Sequence, residues 1–261
     1  NVSLPALFNG KHTERNFFGG IIPTRFESLV LSLFIALVVI AEAVNVHTYP
    51  YGTIWKLQKA QLTRFIGDRT GIDACFLIVL TYLFAGRNNM FLWITGWKQS
   101  TFYTFHKWIA RLTVLVSFVH TITMLLNSIW IGKYESRKKT TWWRLGAVAM
   151  VAAGIMFIHS LARLRVYSYE MFLYVHIGLA VLFLAGAWKH TQDMGYGQWT
   201  YATAAIWGFD RFMRVPKIAQ FGLKTAQATM ISDEILVLSM PRGFRIKDPP
   251  PGSFGYVYFI K

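Results

Sequence analysis

Long apolar runs separated by short polar breaks make up most of the chain. A helix needs about 20 mostly apolar residues to cross the hydrocarbon core of a bilayer. Six runs are candidates for such helices: 26–46, 72–86, 105–127, 145–161, 169–188 and, more weakly, 199–213. The pattern therefore predicts an all-α membrane protein built as a bundle of about six transmembrane helices.

The hydrophobic pattern changes after Pro216. Polar and apolar residues alternate over 225–240, and the run from Pro249 to Gly252 predicts a hard turn before an apolar segment at 256–260. Such alternation, interrupted by a turn of Pro and Gly residues, is typical of β-structure. Because this stretch is too short to fill a core of its own, we expect it to be the truncated beginning of a further domain. The expected parts are an N-terminal segment, a transmembrane domain and the start of a β-domain, at 1–25, 26–214 and 215–261.

Composition supports a membrane protein and limits its chemistry. Hydrophobic residues make up 54% of the 261 residues and charged residues 15%, which is too apolar for an ordinary soluble domain. The formal net charge is +15, but the basic residues are scattered between apolar runs, which argues against a nucleic-acid partner. Cys75 is the only cysteine, so an intramolecular disulfide and Cys-rich metal or iron–sulfur sites are excluded. Asn1 begins the sequence without a methionine or a leader, so we expect the natural start to be missing.

Four histidines share one spacing. His106 and His120 lie in the third apolar run, His176 and His190 lie in the fifth, and both pairs are 14 residues apart. In a helix, 14 residues advance about 21 Å and return to within roughly 40° of the starting direction. Helices three and five are separated by one span and so run parallel, which predicts that His106 is level with His176 and His120 with His190.

Two histidines at one level suit a haem iron, which takes axial ligands on the opposite faces of a flat macrocycle. Zinc would need three or four ligands that converge on one point. Because no C-x-x-C-H motif occurs, covalent haem attachment is excluded. The sequence therefore predicts two stacked b-type haems, each held between two histidines. A lone intramembrane histidine can instead form a hydrogen bond between helices, and this is the role that we expect for His159, which has no partner at such an offset.

Basic residues near the helix ends are candidates for binding the haem propionates, which need cations or hydrogen-bond donors. Arg87, Arg163 and Arg165 lie on one side of the membrane by helix counting, and Arg64 and Arg69 lie on the other. Anchoring of the helix ends in the membrane explains these five arginines equally well. No residue is predicted to act as a catalytic acid, base or nucleophile.

Several short motifs occur together with the histidine spacing. They are Pro23-Thr24-Arg25, Asp68-Arg69-Thr70-Gly71, Gly86-Arg87-Asn88-Asn89, Thr95-Gly96 and Phe105-His106-Lys107-Trp108-Ile109-Ala110-Arg111. From about Pro23 to Lys261 the chain resembles the fungal ferric reductases of the plasma membrane, within the ferric-chelate reductase and NADPH oxidase superfamily. The resemblance implies an oxidoreductase that passes electrons from cytosolic NADPH to FAD, and then through two b haems to ferric complexes outside, in iron transport.

The same resemblance assigns sides and domains. It implies that His106 and His176 hold the haem iron on the cytosolic side, and that His120 and His190 hold the outer one. It also implies that an FAD-binding β-barrel begins near Gly222, with Pro251-Gly252-x-Phe254 resembling an early strand. The flavin motif expected in such a barrel does not occur before Lys261. The plasma membrane is the expected location, and a vacuolar or other internal membrane is the alternative.

The charge of the outer loops indicates the form of iron that is reduced. Segments 47–70 and 128–143 each contain four basic residues and one acidic residue. Bare ferric ion would need a cage of carboxylates, which these segments lack. We therefore expect an anionic ferric chelate as the substrate. The sequence leaves open which ferric or cupric complex this is, and whether the chain forms oligomers.

The alternative functions are an NADPH oxidase and an ion or proton transporter. NADPH oxidases share this architecture but reduce dioxygen to superoxide. In an oxidase we would expect a further histidine where Met124 stands and a histidine offset one residue shorter on helix five, so both positions favour a metal reductase. An ion or proton transporter would use polar intramembrane residues such as Glu42, His159 and Asp210, but these share no helix pair or broken-helix pattern.

Overall fold

The computed structural model describes residues 16–17, 20–21, 23–50, 57–161, 165, 167–221 and 225–239. The helices in these ranges are α1 Arg25–Ala43, α2 Gln58–Ala85, α3 Met90–Thr95, α4 Gln99–Trp130, α5 Tyr134–Arg137, α6 Thr141–His159, α7 Tyr169–Gln192, α8 Gly197–Phe212 and α9 Arg214–Phe221. The strands are β1 Asn16–Phe17, β2 Gly20–Ile21, β3 Gln227–Ser232 and β4 Ile235–Ser239.

Four helices of the described part are long and apolar enough to cross a membrane. They are α1, α4, α6 and α7, which correspond to four of the six predicted spans. The chain is therefore a mostly helical, multi-pass membrane protein. The other two predicted spans also form helices, but of a different character. α2 begins at Gln58, well before the predicted start at 72, and its first half is polar. α8 is only 16 residues long and ends near Asp210 and Arg211.

The helices pack in two main pairs, α4 against α2 and α7 against α6. Two buried clusters fill these contacts, and α2 contributes to both, since Leu77 belongs to the first and the adjacent Ile78 to the second. Phe102, Phe105 and Ile109 of α4 complete much of the first cluster. The second cluster joins small residues of α6 to α7: Ala149, Ala152, Ala153, Phe183 and Leu184. α2 is therefore a central helix of the bundle although its first half is polar.

α1 begins with a capping box. The Thr24 side chain accepts a hydrogen bond from the Glu27 backbone N–H, and the Glu27 carboxylate accepts one from the Thr24 N–H at 2.9 Å. This arrangement satisfies two of the N–H groups that have no partner within the helix. At the other end, the Arg69 guanidinium donates to the carbonyl oxygens of Ala41, Glu42 and Val44. An arginine of α2 therefore caps the C-terminal end of α1.

A hydrogen bond from Tyr82 connects α2 to α7. The Tyr82 hydroxyl donates to the Ala180 carbonyl oxygen at 2.6 Å, and the Tyr82 side chain is buried. Interhelical hydrogen bonds in membrane proteins contribute about 0.6–2 kcal/mol.

We expect Tyr82→Phe to lower the free energy of unfolding by about 1 kcal/mol, measured by denaturation in detergent. Tyr201→Phe, at a side chain that is 56% exposed, is the control and should leave stability unchanged; an equal loss in both variants would refute the assignment.

The chain divides into two compact units, Asn1–Gly208 and Phe209–Lys261. In the second unit, β3 and β4 form an antiparallel hairpin in which Gln227 pairs with Ser239. This hairpin lies where the alternating pattern predicts β-structure. Arg214 forms an ion pair with Asp210 within the same unit. The predicted turn at 249–252 and the apolar segment at 256–260 lie outside the described residues.

Candidate functional site: two histidine pairs

α4 and α7 bring the four predicted histidines together in two pairs. The ring centres of His106 and His176 are 6.3 Å apart with an interplanar angle of 81°. Those of His120 and His190 are 6.0 Å apart with an angle of 83°. The earlier histidine of one helix meets the earlier histidine of the other, so α4 and α7 run parallel. The 14-residue spacing therefore places two pairs at two levels of the bundle, about 21 Å apart along the helices.

Three of the four imidazoles are oriented by backbone carbonyls of neighbouring helices. Because a carbonyl oxygen only accepts, the Nδ1 atom of each of these rings carries the proton, and Nε2 keeps its lone pair for a ligand. Metal-binding histidines commonly use this arrangement, which fixes the tautomer and the ring orientation. The pairs are His106 Nδ1 with Thr81 O at 2.8 Å, His120 Nδ1 with Gly67 O at 2.7 Å, and His190 Nδ1 with Trp142 O at 2.9 Å.

The separation of the paired rings fits two ligands on opposite sides of one metal ion. With a metal–imidazole bond of about 2.0–2.1 Å and a ring centre about 1.1 Å behind the nitrogen, two such imidazoles have centres about 6.3 Å apart. The observed 6.3 and 6.0 Å agree with this value. In the part of the chain that the structure describes, no three His, Cys, Asp or Glu side chains converge as a zinc site requires. The donor set therefore fits a haem iron between each pair.

Two glycines make room for the second histidine pair, His120 and His190. A methyl carbon at Gly71 would lie 2.8 Å from His120 Nδ1, and one at Gly146 would lie 2.5 Å from His190 Nδ1. Gly71 stands four positions after Gly67, whose carbonyl oxygen binds His120. Gly146 stands four positions after Trp142, whose carbonyl oxygen binds His190. Since helical side chains tilt toward the N-terminus, a side chain larger than that of alanine at this position would cover the carbonyl. For His106 the equivalent position is the small residue Ala85. Sequence reasoning gave these residues no individual role, because the carbonyls that fix the four-residue offset are known only from the structure.

His176 is held differently from the other three histidines. Its Nδ1 is buried without a hydrogen-bond partner among the described residues, and its ring packs against Phe172 at 5.2 Å. Phe172 also stacks on His159, at 5.5 Å and 23°. The Nδ1 of His159 is likewise buried without a partner in the described part of the chain. The hydrogen bond expected for His159 is therefore not found at this atom, and an aromatic stack connects His159 to His176 instead.

Four of the five predicted arginines lie in the described residues, and their surroundings differ. Arg64 forms an ion pair with Asp68 at 2.5 Å, and Arg69 caps α1. Arg165 lies close enough to Lys107 and Arg111 to repel both electrostatically. Arg87 lies in the turn that follows α2. Arg163 is outside the described residues.

Arg137 is a cation beside Arg64 to which sequence reasoning gave no individual role. Its guanidinium donates to the Ser128 hydroxyl at 2.8 Å. Partial burial lowers the pKa of Arg137, and the nearby Arg64 lowers it further, while Asp68 acts in the opposite direction. Arg64, Asp68 and Arg137 are thus electrostatic neighbours. Arg64 and Asp68 also interact with His120, so these two residues lie near the second histidine pair.

Comparison with known proteins agrees with a transmembrane protein of the ferric reductase type. The family described as "Ferric reductase like transmembrane component" matches residues 70–187. The chain is 34% identical over its whole length to a "Probable ferric reductase transmembrane component" of Candida albicans, of which it covers 40%. It is 34% identical to "Ferric/cupric reductase transmembrane component 1" of the same species, covering all of this chain and 35% of the relative. It is 32% identical to "Ferric reductase transmembrane component 3" of Saccharomyces cerevisiae, covering 99% of this chain and 37% of the relative.

The chain thus spans well under half the length of these relatives. The matched segment contains all of α4 and α6 and most of α2 and α7, with His106, His120 and His176 and the two glycines beside the second histidine pair. The predicted resemblance to fungal ferric reductases is therefore confirmed, and residues 70–187 form a ferric reductase-like transmembrane component.

Proposed function

We propose that this chain carries electrons across a membrane, from FAD and NADPH of the complete protein on the cytosolic side, through two b-type haems, to ferric complexes on the other side. The observation that carries the proposal is the pair of histidine clamps with ring centres 6.3 and 6.0 Å apart. The relatives are named as ferric and ferric/cupric reductase components, and this suggests the substrate class. The plasma membrane is the proposed location, with an internal membrane such as the vacuolar one as the alternative.

The geometry of the four histidines supports a role as haem ligands, and their sides are proposed from the resemblance. His106 and His176 would bind the cytosolic haem iron, and His120 and His190 would bind the outer one. Bound haem supplies one-electron redox chemistry at each level. The carbonyl partners of His106, His120 and His190 hold the Nδ1 protons and raise the basicity of Nε2. This orientation before binding lowers the entropy lost when the ligands engage the metal.

Two levels of ligands suit transfer across a bilayer. A spacing of about 21 Å along the helix is too long for one haem to bridge His106 and His120. Each level therefore holds its own group, and together the levels extend over most of a hydrocarbon core of about 30 Å. Two haem sites in series shorten the longest single electron-transfer step across the bilayer. The chain therefore offers electrons a route that neither site offers alone.

The flanking charges and the second unit complete the proposal. Arg87, Arg163 and Arg165 are proposed near the propionates of the cytosolic haem, and Arg64 and Arg69 near those of the outer haem. The capping of α1 by Arg69 is an additional, structural role for that residue. Residues 215–261 are proposed as the beginning of the FAD-binding β-barrel, which the hairpin of β3 and β4 supports.

An anionic ferric chelate is the proposed substrate. The structure extends α2 into the segment 47–70, so that Lys59, Arg64 and Arg69 are presented from a helix rather than from a loop. Arg64 lies near His120, and Arg137 is an electrostatic neighbour of Arg64. Such a basic surface attracts negatively charged complexes and repels positively charged ones.

Chemically reduced, haem-loaded chain tests this function by stopped flow. We expect rapid reoxidation by ferric citrate, at a rate that falls as salt shortens the Debye length from about 30 to 10 Å. A cationic ferric complex of similar potential should react more slowly and show the opposite salt dependence. If dioxygen instead outcompeted every iron complex and gave superoxide, an NADPH oxidase would replace the reductase as the proposed function.

A further inference from the structure

A cavity of about 420 Å³ lies between the residues after α1 and the first half of α2. Its volume falls within the range of about 300–1,000 Å³ that is usual for small-molecule sites. Five polar and three apolar residues line it: Asn45, His47, Tyr49, Asp68 and Arg69, together with Val46, Phe65 and Ile72. Such sites typically combine an apolar lining with a few polar groups that orient the ligand.

The walls of the cavity are held by specific backbone features. Asn45 has a φ of +58°, a left-handed conformation that asparagine tolerates better than most residues, and it turns the chain after α1. The backbone N–H of Tyr49 donates to the Gln61 side-chain oxygen at 2.8 Å, which ties this wall to α2. The contact of Arg69 with the end of α1 joins the walls on the other side. His47 and Tyr49 are therefore presented opposite α2 by an ordered segment.

The polar groups of the cavity favour an anion. Asp68 is the one carboxylate in the lining, and Arg64 from outside the cavity neutralises it at 2.5 Å. Arg69 is then the positive charge of the lining, and its electrostatic neighbour Glu42 lies outside the lining. A guanidinium, an imidazole N–H and a phenolic hydroxyl are all suitable donors to carboxylate oxygens.

The cavity is connected closely to a histidine of the second pair. Asp68, in its wall, directly follows Gly67, whose carbonyl oxygen accepts the His120 Nδ1–H at 2.7 Å. One hydrogen bond and one peptide unit therefore separate the imidazole from the lining. A ligand in the cavity would lie across α2 from His120, within about one helix diameter of 10–12 Å.

We propose that this cavity binds a polycarboxylate chelate of a trivalent metal ion, with the carboxylates of the chelate accepting hydrogen bonds from Arg69, His47 and Tyr49. The inference rests on the proposed function, because that function assigns the His120 end of the bundle to the side where ferric chelates are reduced. It identifies a binding site beside that end, in addition to the general attraction of the basic surface.

Gallium(III) citrate is the probe, because it resembles ferric citrate in charge and shape and is not reduced. Binding would be measured by calorimetry on the haem-loaded full chain in lipid nanodiscs. We expect saturable binding that the double variant His47→Gln/Tyr49→Phe weakens at least about tenfold, through the loss of two donors without a change in formal charge. Arg69→Gln should weaken binding further. Metal-free citrate should bind more weakly than the gallium complex if the cavity selects the chelate.

The control removes a charge without touching the cavity. Arg144 lies outside the lining, at the start of α6, and Arg144→Gln should change the affinity less than about twofold. If Arg144→Gln weakened binding as much as the double variant, the cavity would not be a site and only general electrostatic attraction would remain. Binding that the double variant leaves intact would overturn the proposal in the same way.

The experiment separates this proposal from the proposed function. Gallium citrate binding needs no electron transfer, so a chain that binds the probe but is not reoxidised by ferric citrate would retain the cavity and lose the reductase. A chain that is reoxidised normally, with no difference between wild type and the double variant in the ferric citrate concentration needed for half-maximal rate, would retain the reductase and lose the cavity.

Discussion

Replacing His120 or His190 by alanine is expected to remove one haem, and the same haem in both variants. The two rings face one another at 6.0 Å, so either substitution leaves the iron of that level with a single protein ligand. His106→Ala and His176→Ala should remove the other haem, because their rings form the second clamp at 6.3 Å. The pyridine haemochrome assay should give about two haems per wild-type chain and about one in each single variant.

Double variants provide the decisive comparison. His120→Ala/His190→Ala should lose no more haem than either single change, because both residues serve one site. His106→Ala/His120→Ala should lose both haems, because it removes one ligand from each level. If His106→Ala and His120→Ala instead lost the same spectral component, ligation would run along α4 rather than across the bundle. His47→Ala, at an exposed histidine outside the bundle core, is the control and should retain both haems.

Much of the site could be predicted from the sequence because helix geometry is regular. A fixed rise and rotation per residue turn the spacing of 14 into two ring positions on one helix face. The number of intervening helices then determines whether the two faces run parallel. The pairing of His106 with His176 and of His120 with His190 therefore needed no knowledge of side-chain packing. The alternating pattern over 225–240 predicted β-structure where the hairpin forms for the same reason, since a strand also has a fixed period.

Other features depend on contacts between helices, which a single sequence does not show. The early start of α2 at Gln58 was missed because its first half is polar, and hydropathy detects apolar segments rather than helices. Arg69 could not be assigned from sequence to the end of α1, because its partners are backbone carbonyls 25–28 residues away. The stack of His159 on Phe172 and the position of Arg137 beside Arg64 likewise arise only from tertiary packing.

Gly146 is expected to be as necessary for haem binding at the second histidine pair as His190, which it contacts. Its neighbour His190 donates a hydrogen bond to the Trp142 carbonyl oxygen at 2.9 Å, one helical turn before the glycine. A methyl carbon at position 146 would lie 2.5 Å from His190 Nδ1 and 2.9 Å from Cε1, far inside van der Waals contact. Because the ring centres of Trp142 and His120 lie 5.8 and 6.0 Å from that of His190, we expect the imidazole to leave its rotamer.

Gly146→Ala should therefore reduce haem content from about two to about one per chain and remove the spectral component that His190→Ala removes. Gly154→Ala, on the same helix, is the matched control, since a methyl carbon there meets no atom within 4 Å. Alanine favours a helix over glycine by about 1 kcal/mol, so both variants gain the same intrinsic stability and differ only in the clash. Gly71→Ala, with a methyl carbon 2.8 Å from His120 Nδ1, should reproduce the loss from the opposite side of the site. Retention of both haems in Gly146→Ala and Gly71→Ala would show that the outer imidazoles can bind iron without these carbonyls and glycines.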